Sequence, residues 1–301
     1  MDPALFMEED GRRHIKKIKE AGFNDVVVCV TELDLMSDAR KRMLKDIVEE
    51  AKKQELTVTA DPWRLGGFTG GEGFSAFEQN GGTPCLCDPG VAALTEDWLQ
   101  TVVDAGITNV FWDEPSLGCN GHDRSLEYLE RFTERAKELG IEKNAVCVRW
   151  RDAGPEAVNA VAALPAVDEV ATAPYVFHPG SKSPRAPEEV PGYVTPKFEA
   201  VAQAAAAHGV TAQVWAQNFN LNPDTLGTMQ TYVDCIANAG IQNVAVWTYN
   251  AARKHYPFLN PDGSKPKDAW RESVRLIAGY IPPSVGYSLS GNRGGGSPAF
   301  P

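Results

Sequence analysis

The sequence predicts an α/β fold, a single-domain (β/α)8 barrel in which eight parallel strands alternate with helices. One phrase recurs along the chain: a helix that ends in glycine, two or three linking residues, and then an apolar strand. The strands in these phrases are nearly continuous in Val, Ala, Trp and Ile, which is typical of parallel strands buried on both faces. Successive glycines are separated by one or two multiples of about 35 residues, the length of one strand–helix unit. The recurring glycines are Gly22, Gly106, Gly140, Gly209 and Gly240.

The order of the elements favours the barrel over an open sheet. The predicted strands occupy 3–7, 26–31, 56–61, 109–113, 145–150, 169–174, 212–217 and 243–248. The predicted helices fall near 11–21, 38–53, 94–105, 122–139, 155–163, 196–208, 225–239 and 265–279. Repeated strand–helix units of this kind form the (β/α)8 pattern. A doubly wound open sheet is the alternative, and it is disfavoured because no Gly-rich phosphate turn follows the first strand.

Length and composition are those of an ordinary globular protein. The 301 residues fit one catalytic barrel domain at 1–280 and a flexible C-terminal tail at 281–301. A formal net charge of -11 and a pI near 5.0 argue against a nucleic-acid or anionic-membrane partner. No stretch reaches the roughly 18 apolar residues of a membrane span, and the N-terminus does not resemble a signal peptide, so we expect a cytoplasmic protein. The sequence carries no signal for the oligomeric state.

The six cysteines are expected to be reduced thiols. Cys85 and Cys87 form C-x-C and not C-x-x-C, and Cys119 begins only half of a zinc pattern. Cys29 and Cys147 lie in apolar strand-like runs, where free thiols pack as small hydrophobic groups. The sequence therefore indicates no metal and no cofactor.

Carboxylates follow the predicted strands at the face where barrel active sites lie. The fourth strand ends in Asp113 and Glu114 before a proline, an arrangement that packing does not require. Because side chains alternate along a strand, we expect Glu114 to face the substrate and Asp113 to face a neighbouring strand or to hold Arg149. Asp61 ends the third strand, and Glu72 lies in a Gly-rich loop that lets the backbone approach a ligand closely. Either one is a candidate for a second catalytic carboxylate.

Aromatic and amide side chains accompany these carboxylates at the predicted strand ends. Flat rings cover the apolar faces of sugars, and carboxylates and amides bind the hydroxyls. Aromatic rings also fill the interior layers of barrels, so any one tryptophan could serve either packing or sugar binding. Together the set predicts a site for a polyhydroxylated, small-molecule carbohydrate. The predicted substrate-binding residues are Trp63, Trp112, Arg149, Trp150, Tyr175, Trp215, Gln217, Asn218, Trp247, Tyr249 and Glu32.

The Trp-Asp-Glu-Pro motif at 112–115, together with the strand-end tryptophans, resembles TIM-barrel glycoside hydrolases. The large retaining clan of these enzymes carries Asn-Glu-Pro after the fourth strand, with the Glu as acid/base, and the tripeptide Asp-Glu-Pro here is similar. The clan's nucleophile is a Glu at the end of the seventh strand, where this chain has Gln217. The resemblance implies a sugar-cleaving barrel with Glu114 as general acid and leaves the second carboxylate open.

Glycosidic cleavage needs one carboxylic acid to protonate the leaving oxygen and a second carboxylate as nucleophile or base. We therefore expect a glycoside hydrolase or transglycosylase, and two alternatives stay open. A sugar isomerase, epimerase or aldolase could hold a divalent metal with Asp61, Asp113, Glu32 or His178. A carbohydrate-binding barrel without chemistry is the second alternative. Three arginines near this face indicate an acidic sugar or a phosphate or sulfate group, and pairing with Asp113 or Asp61 explains them equally well. They are Arg64, Arg149 and Arg151.

Overall fold

The structure, a computed structural model, describes residues 11–35, 37–63, 65, 68, 85–117, 125–149, 151–176, 185–217, 226–241 and 243–247. Strands and helices alternate through these ranges. The strands are β1 (Asp25–Cys29), β2 (Thr57–Asp61), β3 (Asn109–Asp113), β4 (Lys143–Val148), β5 (Glu169–Thr172), β6 (Thr211–Gln217) and β7 (Asn243–Trp247). The helices are α1 (Gly11–Glu20), α2 (Glu32–Leu35), α3 (Asp38–Lys53), α4 (Pro89–Asp104), α5 (Ser125–Glu138), α6 (Pro155–Ala162), α7 (Val190–His208) and α8 (Leu226–Asn238). None of these helices is long and apolar enough to cross a membrane.

The seven described strands form one parallel sheet in chain order, β1 to β7. The sheet is curled, because the ring centroids of Trp63, after β2, and Trp247, in β7, are 5.7 Å apart. A flat sheet would separate strands five positions apart by about 24 Å, at roughly 4.8 Å per strand. Chain order and curl match seven of the eight strands of the predicted barrel and not the doubly wound alternative. The predicted first strand at 3–7, the last helix at 265–279 and the tail at 281–301 lie outside the described residues.

Side chains alternate between the two faces of the sheet. The outward face packs against the helices and holds residues such as Val28, Ala60, Val110 and Val146. The inward face is lined by a separate cluster whose buried members are Phe111, Ala145, Cys147, Ala171, Ala173 and Trp215. Both faces are buried, which explains why the strands are apolar without alternating in the sequence.

The helices are amphipathic and cover the outer face. Ser37 begins α3 by accepting a hydrogen bond from the Arg40 backbone N–H, which satisfies one free donor of the first turn. The buried residues of α3 recur every three or four positions, so they share one face. Truncating Ile47 on this face would cost about 2–5 kcal/mol, because a buried cavity would remain. The buried set is Met43, Leu44, Ile47, Val48 and Ala51.

The predicted helix ends are confirmed by the backbone, whereas two helix starts differ. All five recurring glycines have positive φ, and Gly209, at +71°, closes α7 in the left-handed conformation. Helix α4 begins at Pro89 and α7 at Val190, each about five residues before the predicted start. A proline in the first turn sacrifices no helical hydrogen bond, so Pro89 and Pro191 begin helices instead of preventing them.

The inner face of the sheet is polar at the amino ends of the strands. Thr59 Oγ1 donates to Asp25 Oδ2 at 2.7 Å, and Lys143 Nζ lies 2.9 Å from Glu169 Oε2. Asn243 also donates to Glu169. Burial raises the pKa of Asp25 to about 6.

Four cysteines are free thiols, as the sequence predicts: Cys29, Cys87, Cys147 and Cys235. Cys85 is disulfide-bonded, so the expectation of reduced thiols is wrong at that position. The C-x-C spacing carries no signal for such a bond, because pairing depends on where the fold places a second thiol.

Candidate active site

Three carboxylates gather at the carboxyl ends of β2 and β3. Asp61 is the last residue of β2, Asp113 is the last residue of β3, and Glu114 follows directly. Because β2 and β3 are parallel neighbours, their carboxyl ends meet at one edge of the sheet. All three carboxylates raise the pKa of the Cys147 thiol, after the larger effect of its burial. Asp113 is the register partner of this inward-facing residue of β4, and the other two carboxylates lie within electrostatic range of it.

Asp113 and Glu114 both affect the ionisation of Tyr175, which follows β5. Burial raises the pKa of the Tyr175 phenol, and Asp113 and Glu114 raise it further. Glu114 has φ of +42°, in the left-handed region that residues with a side chain seldom adopt. This conformation breaks the strand alternation directly after Asp113. Alternation along β3 therefore does not by itself fix the direction of the Glu114 side chain. Such strain costs on the order of 1–3 kcal/mol and tends to occur at functional sites.

Arg149 pairs with Glu114. The Arg149 Nε lies 3.5 Å from Glu114 Oε2, and the two side chains are 30% and 15% exposed. Of the two alternatives expected for Asp113, a neighbouring strand or Arg149, the described ion pair of Arg149 is with Glu114 instead. Burial raises the pKa of Glu114, and Arg149 opposes this shift by stabilising the ionised form.

Asp61 has a different environment. It is 1% exposed, the Cys29 thiol lies 3.6 Å from Oδ2, and Oδ1 has no hydrogen-bond partner among the described residues. Burial, the largest effect, raises the pKa of Asp61 to about 7. The Cys29 thiol and the Trp63 backbone N–H lower it by smaller amounts. A neutral carboxyl is therefore favoured at this position up to neutral pH.

Aromatic rings line the same end of the curled sheet. Trp247 lies between Trp63 and Trp215, with ring centroids 5.7 Å and 6.1 Å away. Trp215 also packs on Phe111, with centroids 4.4 Å apart, and its indole N–H donates to Gln213 at 2.7 Å. Three of the predicted tryptophans thus form one continuous aromatic surface.

Trp112 does not belong to this surface. Its side chain is fully buried among Trp98, Phe132 and Phe68 in the layer between sheet and helices. Its indole N–H donates to Asn144 Oδ1 at 3.0 Å. Alternation along β3 directs Phe111 inward and Trp112 outward, so the prediction that Trp112 binds substrate is wrong.

Two further predicted residues have structural partners. Gln217 is buried and its Oε1 accepts a hydrogen bond from the Val176 backbone N–H at 3.0 Å, which ties β6 to the end of β5. Glu32 lies in α2 after β1, is 7% exposed, and has an Oε1 without a partner among the described residues. Nearby Asp34 caps the local turn by accepting from Thr31 and Arg40.

Several predicted residues lie outside the described part of the chain: Arg64, Glu72, Trp150, His178, Asn218 and Tyr249. In the described part, no group of three or more His, Cys, Asp or Glu side chains could hold a metal ion. Sequence reasoning missed the position of Cys147 among the carboxylates. Counting alternate residues back from Arg149 along β4 could have placed it on the inner face.

No protein-family model and no curated protein matches the sequence. Solved structures with the same fold do exist. An exo-β-1,4-mannosidase from an Opitutaceae bacterium has a TM-score of 0.63 at 12% identity, and the match covers 93% of this chain. This chain spans only 57% of that mannosidase's length.

Two other structures are similar. A GH5_18 protein from Bifidobacterium longum, crystallised with Manβ1-4GlcNAc, has a TM-score of 0.61 at 12% identity and covers 92% of this chain and 75% of its own. A GH5-4 broad-specificity endoglucanase from a Clostridium has a TM-score of 0.56 at 13% identity, with 89% and 86% covered. The described strands and helices therefore share the barrel fold of GH5 glycoside hydrolases.

Proposed function

We propose that the chain hydrolyses O-glycosidic bonds, with Glu114 and Asp61 as its catalytic carboxyl pair. The observation that carries the proposal is the pair of buried carboxyls with raised pKa at the carboxyl ends of β2 and β3, beside an aromatic surface. Carboxyls with perturbed pKa in such a position are typical of acid–base sites. The barrel fold shared with mannosidases and endoglucanases supports the same reaction class.

The electrostatics of the pair divide the two roles. Asp61 is buried, with a pKa of about 7, and contacts a neutral thiol. Glu114 has a cation, Arg149, 3.5 Å away, which favours its ionised form. The proton that the pair retains longest therefore resides on Asp61. We infer that Asp61 protonates the leaving oxygen and that ionised Glu114 acts as nucleophile or base, the reverse of the roles expected from the Asp-Glu-Pro motif.

Leaving-group chemistry tests this division. Aryl β-mannosides and β-glucosides are suitable first substrates, because similar structures are a mannosidase and an endoglucanase. The 2,4-dinitrophenyl group departs without protonation, whereas an alcohol leaving group needs an acid. Asp61→Asn should therefore lose roughly 10²-fold or more on oligosaccharides and retain most activity on dinitrophenyl glycosides. Glu114→Gln should lose activity on both.

Glu138→Gln is the matched control, because Glu138 also pairs with an arginine but lies exposed on α5. It should leave both activities unchanged. The opposite pattern in the two site variants would assign the acid to Glu114. Absence of turnover across the panel, or turnover that a chelator abolishes, would overturn the proposed mechanism.

A further inference from the structure

Two cations meet over one tyrosine ring beside the candidate active site. The Arg185 guanidinium carbon lies 3.8 Å from the ring centroid of Tyr193, and Lys197 Nζ lies 4.5 Å from the same centroid. Lys197 Nζ also donates to the Tyr193 backbone oxygen at 3.0 Å. Arg185 and burial both lower the pKa of Lys197, burial more strongly, so the two charges lie close together in a half-buried setting.

Among the described residues, no carboxylate neutralises the positive charge of this pair. In the described ranges, no carboxylate forms an ion pair with Arg185 or Lys197, and the buried Arg185 Nε has no hydrogen-bond partner. Glu189, the residue before α7, accepts a hydrogen bond from the Ala186 backbone N–H at 3.0 Å. Tyr193 belongs to the first turn of α7, and Lys197 lies one turn further along the same helix.

The backbone of Arg185 is held from two sides. Its N–H donates to the Val176 oxygen at 2.9 Å, and its own oxygen accepts from Thr228 Oγ1, at the start of α8, at 2.9 Å. Val176 directly follows Tyr175, whose phenol responds to Asp113 and Glu114. The arginine is therefore fixed next to the carboxylate site, as a preorganised binding residue should be.

Arg151 connects the two groups. Its charge lowers the pKa of both Glu114 and Tyr193, each to a smaller extent than the nearer arginine does. Because the interaction between charges decays with distance, Arg151 lies within range of both side chains. Because Val176 follows β5 and Glu114 follows β3 in one parallel sheet, the cations and the carboxylates lie beyond the carboxyl ends of the same strands.

We propose that Arg185 and Lys197, with Tyr193 as their platform, form a subsite for an acidic group of the glycan, a carboxylate or a sulfate ester. The planar guanidinium fork suits either oxyanion, and the tyrosine ring can pack against the sugar that carries it. The inference rests on the proposed glycosidase function and names its substrate class as an acidic glycan.

Binding measurements test the subsite independently of turnover. The probes are D-glucuronate, D-glucose 6-sulfate and D-glucose, titrated calorimetrically into the full-length protein. One or both acidic sugars should bind at least about 10-fold more tightly than glucose, and added salt should weaken that preference. The sugar that gains affinity identifies the acidic group. Equal affinity for all three sugars would overturn the proposal.

Substitutions locate the effect. Arg185→Gln and Lys197→Gln should each reduce the affinity for the acidic sugar by about 10-fold and leave glucose unchanged. Arg131→Gln is the matched control, because Arg131 also lies over a tyrosine, 5.0 Å from the Tyr128 ring on α5, and should have no effect. Thermal unfolding of each variant shows whether it is folded, and the lysine variant tests the site even if the arginine variant is unstable.

Three outcomes separate the explanations. Acidic-sugar binding that survives both substitutions would overturn the subsite. Inorganic sulfate that binds as tightly as either acidic sugar would indicate a free-anion site and overturn the assignment to a glycan. Acidic sugars that bind through Arg185 without any hydrolysis would support the subsite and count against the proposed reaction alone.

Discussion

Arg149 Nε lies 3.5 Å from Glu114 Oε2, across the junction between the ends of β3 and β4. The contact links a carboxylate in a strained, left-handed backbone conformation to a half-exposed cation. It also distinguishes Glu114 from Asp61, whose carboxyl has only the Cys29 thiol and a backbone N–H as its described donors. The pair therefore has one carboxyl suited to ionisation and one suited to retaining a proton.

Removing Arg149 should move the acidic limb of the pH–activity profile. Arg149 lowers the pKa of Glu114, so Arg149→Met raises that pKa. If Glu114 acts when ionised, activity is lost as pH falls through its pKa, and the variant should lose activity at a higher pH than wild type. The measurement is kcat/KM against pH. Arg135→Gln, which breaks an exposed pair with Glu96, should leave the profile unchanged. An acidic limb that stays in place would contradict this role for Glu114.

The basic limb should belong to Asp61. A general acid works only while protonated, so activity should fall as pH rises through the Asp61 pKa of about 7. With dinitrophenyl glycosides, Asp61→Asn should lack this limb, because no protonation is required. A basic limb that persists in the variant on those substrates would assign it to another group.

Asp25 should make stability depend on pH. Its pKa is about 6 in the folded protein against an ordinary value of 3.8. The folded state therefore binds the Asp25 proton more tightly than the unfolded state does, and the stability of the protein falls as pH rises from about 4 to about 6. A difference of about two pKa units corresponds to at most about 3 kcal/mol. Asp25→Asn should therefore gain stability relative to wild type between pH 4 and pH 6 by up to about 3 kcal/mol. Urea unfolding at several pH values measures this, and Asp46→Asn on the exposed face of α3 should follow wild type. A constant difference across that range would contradict the prediction.

Two tryptophans should separate stability from binding. Trp112 is fully buried in the helix layer, so Trp112→Ala should destabilise the fold by about 3–5 kcal/mol. Trp63 is only partly buried and belongs to the aromatic surface, so Trp63→Ala should raise KM for an active glycoside by roughly 10-fold with a smaller loss of stability. Chemical denaturation and steady-state kinetics measure the two effects. Equal losses of stability, with no change in KM, would remove Trp63 from the binding surface.

The sequence by itself determined the order of the seven described parallel strands and the ends of the helices. Apolar strands that do not alternate indicate burial on both faces, and a glycine such as Gly209 ends a helix by adopting the left-handed conformation. Both signals are local, so they can be recognised without knowing which elements meet. The place of Glu114 directly after a strand could also be recognised locally. Packing does not require two carboxylates and a proline after an apolar strand, so this tripeptide indicates a functional site.

Only the tertiary structure decided which side chains face the site and which partner each one has. Trp112 faces the helices because the pairing of β3 with β4 turns Phe111 inward and therefore Trp112 outward. The sequence alone does not show which of these two alternating residues faces inward. Glu114, which has a left-handed backbone conformation, forms an ion pair with Arg149 at the end of the neighbouring strand. Arg185 joins this end of the barrel through hydrogen bonds to Val176 and Thr228, which are 9 and 43 residues away in the chain. Contacts between residues so far apart depend on how the strands curl together, and no local pattern encodes them.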